Sequence, residues 1–192
     1  MISLQASDVT AALDTVLTTL RAAGIDLTYR LAGTSAALLQ GVRLPVGDID
    51  LLASRRKDVD DFAAALTSFP CMYAASWLPT ASQYFVRYEV NGAMVEMSTV
   101  ERETDSDAME CIGRGPWQHV VWVDCGPHQV PAVRLELRLA SELVRDRADR
   151  YEPLLEHMRT QGCDLDLLHR AMTAQGLSAE HRRLVRSRLV DG

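Results

Sequence analysis

The stretch QYFVRYEVNGAMVEMSTV, residues 83–100, constrains the fold more than any other part of this chain. Two runs rich in β-branched and aromatic residues flank Asn91-Gly92, the dipeptide best able to hold both positive φ angles of a type I′ turn. A two-residue loop leaves no freedom of register. It pairs Val90 with Ala93, Glu89 with Met94, Tyr88 with Val95, Arg87 with Glu96 and Val86 with Met97. Side chains alternate along a strand, so one face of this predicted hairpin carries Val86, Tyr88, Val90, Ala93, Val95 and Met97. The other face carries Phe85, Arg87, Glu89, Met94, Glu96 and Ser98. The first face needs helices to cover it; the second sets a carboxylate, Glu96, beside a guanidinium, Arg87.

Helical spacing supplies the cover. Val9, Leu13, Val16, Leu17 and Leu20 share one face of a predicted helix over 7–23, with Ser7 or Asp8 as N-cap and Gly24 at its end. Val59, Phe62, Ala63, Leu66 and Phe69 do the same over 57–69, where Pro70 is expected to stop the helix. Between them LTYRLA (27–32) reads as a strand running into Gly33, TSAALLQG as a short helix, and the segment after it as a second strand. Beyond an acidic loop expected to be mobile, ERETDSDAMECIGRG, two short strands WQHVVWVD and HQVPAV meet at Cys125-Gly126-Pro127. From Arg134 onward four helical segments follow, divided by turn signals at Asp149, Gly162 and Gly176. The expectation is an α+β fold, a mixed sheet flanked by helices over residues 1–133, with a C-terminal helical region, 134–192, packed on it.

Composition narrows the class. The 192 residues are 47% hydrophobic and 24% charged, as in a folded globular chain. No run reaches the roughly 20 apolar residues of a membrane span and the start has no basic, apolar leader, so a cytoplasmic protein is expected. The net charge of −6 argues against broad wrapping of nucleic acid, although twenty basic residues, only Lys57 among them a lysine, leave room for local basic patches. Cys71, Cys111, Cys125 and Cys163 lie far apart with no metal-ligand spacing, and mostly buried, reduced thiols are expected. None of the five histidines has a partner at ligand spacing.

The chemistry gathers around Asp48-Ile49-Asp50-Leu51. On a strand the two aspartates project to the same side while Ile49 and Leu51 turn to the other. Paired carboxylates of this kind suit Mg2+ or Mn2+, hard cations that share their shell between a few carboxylates and substrate phosphates. Glu96, on the polar face of the hairpin, is the candidate third carboxylate. The turn Gly33-Thr34-Ser35 can offer backbone N–H groups and hydroxyls to a phosphate.

These residues carry a resemblance. Ala32-Gly33-Thr34, thirteen residues, Asp48-Ile49-Asp50-Leu51 and then Glu96 between Val95 and Met97 resemble the signature of the polymerase-beta-like nucleotidyltransferase superfamily, which includes antibiotic adenylyltransferases and toxin-type nucleotidyltransferases. It covers about residues 27–100. The resemblance implies Mg2+-dependent transfer of a nucleoside monophosphate from an NTP to a hydroxyl acceptor, with pyrophosphate released. Asp48, Asp50 and Glu96 would be the catalytic, metal-binding carboxylates, Glu96 helping to activate the nucleophile, and Gly33, Thr34 and Ser35 would contact the nucleotide. Thr34 replaces the usual Gly or Ser. The helical region lacks the lysine of many relatives, leaving Arg145, Arg147 or Arg150 for the triphosphate.

Alternatives stay open at this level. Glu96 can ligate metal or pair with Arg87. Arg55, Arg56 and Lys57 can meet phosphate or sit on a solvated helix start. The basic segment around Arg182, Arg183, Arg186 and Arg188 reads as an amphipathic surface helix or an RNA patch, and Trp77, in the loop before the hairpin, as packing or a pocket wall. The acceptor can be a small molecule, an RNA end such as tRNA, or a protein, and a non-catalytic nucleotide-binding or interaction module with the same fold is the remaining class.

Overall fold

The computed structural model describes residues 3–104, 106–115 and 117–190. The apolar spacing near the N-terminus produces α1 (Ala6–Ala22), burying Val9, Leu13, Val16 and Leu20. β1 (Tyr29–Ala32), α2 (Gly33–Leu39), β2 (Ile49–Ala53) and α3 (Arg56–Ala65) follow, then β3 (Cys71–Leu78), β4 (Gln83–Val90) and β5 (Ala93–Val100). After residues 101–117 come β6 (Val120–Cys125) and β7 (His128–Val133), and then α4 (Leu135–Val144), α5 (Ala148–Gln161), α6 (Leu165–Ala174) and α7 (Ala179–Val190). Among the described residues no helix is long and apolar enough to cross a membrane.

The seven strands make one mixed sheet in the order β3-β4-β5-β2-β1-β7-β6. The hairpin has the register its turn dictates, from Val90 opposite Ala93 to Val86 opposite Met97, with φ of +52° at Asn91 and +79° at Gly92. β2 is central, antiparallel to β1 and parallel to β5. Alternation then sorts the core into two layers. Leu31, Ile49, Leu51, Val86, Tyr88, Val95 and Met97 pack with Val9, Leu13, Val16, Val59 and Phe62 of α1 and α3. On the other side Ala32, Leu52 and Val133 join Leu137, Leu139, Leu154, Met158, Leu168 and Met172 of the later helices. The result is the α+β arrangement of a mixed sheet flanked by helices that the pattern predicts.

Several local expectations are corrected. α1 starts earlier than its Ser7 or Asp8 cap would allow: Gln5 is the N-cap, and Asp8, in the first turn, accepts the Gln5 backbone N–H at 2.8 Å. α3 ends at Ala65 rather than at Pro70, because the chain turns at Leu66 to lay the next segment beside β4, where the Pro70 carbonyl accepts the Glu89 N–H at 2.9 Å. That segment, β3, is a strand and not a loop, so Trp77 sits on a sheet edge. The break between α4 and α5 falls at Asp146, which takes a φ of +51°, while Asp149 lies inside α5. Of the four thiols only Cys111 and Cys125 are buried; Cys71 is exposed and Cys163 intermediate.

Candidate active site

Strand registers build the site. β2 places Asp50 directly opposite Ala32 of β1 on one side and opposite Glu96 of β5 on the other. The hairpin extends the row to Arg87 of β4. Directly paired residues point the same way, so Ala32, Asp50, Glu96 and Arg87 form one line across four strands, on the face opposite α1 and α3. Asp48, just before β2, projects to that face as well. Asp48 and Asp50 both line a cleft of about 620 Å³, floored by Gly33, Leu52 and Ser98 and walled by Arg138, Ser141, Arg145 and Arg150 of the later helices.

Gly33 is required at its place for two reasons. Its φ is +64°, and a Cβ there would lie 1.8 Å from Asp50 Oδ2. The residue lines the cleft, whereas Thr34 and Ser35 are buried in α2 and are not part of the cleft wall. The Ser35 hydroxyl donates to the Ala32 carbonyl at 3.1 Å, closing the turn from inside. Of the three turn residues predicted to contact nucleotide, only Gly33 stands at the cleft surface.

Three carboxylates in a row are electrostatically costly. Burial, then the like charges of Asp48 and Glu96, push the Asp50 carboxyl up to about 7, against the opposing pull of the Arg138 guanidinium. Burial also raises Glu96, and Arg87 partly offsets this. Arg87 Nη2 meets Glu96 Oε1 as an ion pair, but that oxygen and Arg87 Nε are buried without an aligned hydrogen-bond partner. Glu96 does not line the cleft itself.

Among the described residues, no three His, Cys, Asp or Glu side chains converge as a ready metal cage. Asp48 and Asp50 nevertheless fit Mg2+ or Mn2+, which commonly take one or two carboxylates and complete their shell with waters and phosphates. The observation behind that fit is Asp50 itself, a half-buried carboxylate at the cleft beside two others whose repulsion a divalent cation would relieve.

A buried ion network supports the cleft wall. Arg138, on α4, bonds both oxygens of Glu110 at 3.1 Å and pairs with Glu142 one turn along its own helix. Glu142 also draws Arg145 to 3.5 Å and Arg150 to 3.7 Å, which holds those two guanidinium groups at the cleft. Arg147 pairs instead with Asp149 and is not in the cleft wall. Within the acidic loop, Glu110 is buried together with Ala108 and Cys111, beside the site. Sequence reasoning missed this network. Its trace was Arg138 and Glu142, four apart among the leucines and alanines of LRLASEL, where a solvated helix face would not put them.

Other candidates are engaged elsewhere. Arg55 bonds Asp58, Lys57 pairs with Asp61, and Arg56 bonds Glu101 while lying 4.6 Å over the Trp77 ring. Trp77 is therefore a packing surface for Arg56 and stands outside the cleft. On α7, Val185 is buried and Arg188 bonds Glu152, as on a packed surface helix.

Solved structures share the fold. TM1012 of Thermotoga maritima, a candidate nucleotidyltransferase, matches 77% of this chain over 91% of its own length with a TM-score of 0.56 at 18% identity. The chain has a nucleotidyltransferase fold. The same fold relates it to an antigenic nucleotidyltransferase-like protein of Paracoccidioides brasiliensis, over 98% of this chain and 94% of that one, TM-score 0.52, 12% identity. A candidate nucleotidyltransferase of Helicobacter pylori matches 99% of this chain and 84% of its own, TM-score 0.51, 16% identity. No family model matches the sequence, and no curated protein matches it. In this nucleotidyltransferase fold, the row of carboxylates and the arginine-lined cleft occupy one face of the sheet.

Proposed function

We propose that the protein is a divalent-metal-dependent nucleotidyltransferase that moves a nucleoside monophosphate from an NTP to a hydroxyl acceptor. The observation that carries this reading is the placement of Asp50 between Asp48 and Glu96 at a cleft whose far wall presents Arg145 and Arg150. Asp48 and Asp50 would hold Mg2+ or Mn2+, with Glu96 as third ligand; the metal, when bound, would polarise the α-phosphate and lower the pKa of the attacking hydroxyl. The chain's own groups do the rest. Arg145 and Arg150 bind and orient the triphosphate, Gly33 lets Asp50 reach the cleft floor, and Glu96 helps to activate the hydroxyl through its place in the carboxylate set. The arginines also hold charge as pyrophosphate leaves.

A second reading is favoured by one observation, the Arg87–Glu96 ion pair, which neutralises the third carboxylate without metal. It makes the chain a nucleotide-binding or interaction module on the same fold. The acceptor is unassigned among small hydroxyl compounds, RNA ends including tRNA, and protein hydroxyls. The test is transfer of an α-32P-labelled NTP to each acceptor class with Mg2+. Metal-dependent label transfer that Asp50→Asn abolishes supports the enzyme; transfer unaffected by Asp50→Asn refutes the site.

A further inference from the structure

The carboxylate row ends in a cation belonging to the protein. Arg87 lies directly across the β4–β5 pair from Glu96, and Glu96 directly across the β5–β2 pair from Asp50. A guanidinium seated on a carboxylate normally makes two parallel N–H···O bonds. Here Arg87 meets Glu96 through Nη2 alone and its Nε is buried without a partner, so the two-bond fork is incomplete.

Arg87 also has somewhere to go. Its side chain is 42% exposed while that of Glu96 is 14% exposed, and α1 and α3 cover the opposite face of these strands. Two residues along β4, on the same face, stands Glu89. The residue is partly exposed, and its carboxylate has no hydrogen bond or ion pair among the described residues. A long arginine side chain can reach either carboxylate from one backbone position.

We infer that Arg87 is an internal competitor for the metal. It neutralises Glu96 in the metal-free protein and moves toward Glu89 when Glu96 joins Asp48 and Asp50 around a divalent cation. This rests on the metal-dependent reading given above. The contrary role, in which Arg87 holds Glu96 in a ligating pose, predicts effects of opposite sign on metal binding.

The experiment is titration of Mn2+ into the full chain without nucleotide, reading free Mn2+ by electron paramagnetic resonance, with thermal melts confirming that each variant folds. Arg87→Gln tightens Mn2+ by about two- to fivefold, the range expected from removing one partly exposed ion pair. Arg87→Lys keeps a competing charge and stays near wild type. Glu89→Gln takes away the alternative partner and weakens Mn2+ by roughly twofold. Equal or weaker Mn2+ binding by Arg87→Gln, with the wild type binding and Asp50→Asn not, overturns the inference and leaves the metal site standing. Absence of Mn2+ binding in wild type and Arg87→Gln alike overturns both.

Discussion

Replacing Asp50 by Asn should stabilise the metal-free protein at alkaline pH. Folded, the Asp50 carboxyl is pushed up to about 7; in the unfolded chain it returns to about 3.8. Between those values the unfolded state binds fewer protons than the folded one, so wild-type stability falls as pH rises from about 4 to about 7 and is flat beyond. The gap corresponds to about 4 kcal/mol, an upper bound because a real interior relaxes and admits water. Asparagine resembles the protonated acid in shape and carries no charge to bury. At pH 4, close to the unfolded-state value, the variant and wild type should therefore melt close together. At pH 8.5 in EDTA the variant should be more stable by about 2–4 kcal/mol, which for a chain of this size raises Tm by roughly 5–10 °C. The assay is calorimetric or fluorescence melting of both proteins across pH 4–9 in chelator. Parallel Tm curves, or a variant less stable than wild type by the same amount at every pH, would refute the electrostatic account of the site.

Other perturbations follow from the same geometry. Gly33→Ala places a methyl against Asp50 Oδ2 at a positive φ; it should cost about 1–3 kcal/mol in denaturant titration and abolish metal-dependent nucleotide binding. Arg138→Met leaves Glu110 and Glu142 buried without their shared partner. A loss of about 3–5 kcal/mol and faster proteolytic cleavage within residues 101–117 are expected, read by urea unfolding and by timed digestion. Arg145→Gln and Arg150→Gln should each weaken NTP binding by about tenfold with melting temperatures little changed, since each removes a charge-assisted contact at the cleft. Unchanged affinity in both would remove the triphosphate from that wall.

Much of this architecture was legible in the sequence because short-range rules determine it. The Asn91-Gly92 turn settles the hairpin register, and with it the position of Glu96 next to Arg87. The alternation around Asp48-Ile49-Asp50-Leu51 separates carboxylates from core before any tertiary contact is known. Neither rule reveals that β2 lies parallel to β5, which is what brings Asp50 and Glu96 together. That adjacency comes from chain order across the sheet. β3 escaped notice because it is an exposed edge whose pairing shifts between Cys71 and Tyr73 and again before Ser76, which erases the two-residue rhythm. Glu110 escaped for another reason. In sequence it is one more acid in a polar loop, and its burial depends on Arg138, 28 residues later.

The most direct test of the central claim, that the Asp48 and Asp50 pair in the arginine-lined cleft forms a metal-dependent triphosphate site, is calorimetric titration of each NTP into the wild-type chain and into Asp50→Asn, with Mg2+ and with EDTA. The account predicts binding of at least one NTP to wild type only when Mg2+ is present, and none to the folded variant. Equal NTP binding with and without Mg2+, or binding unchanged by Asp50→Asn, would contradict it.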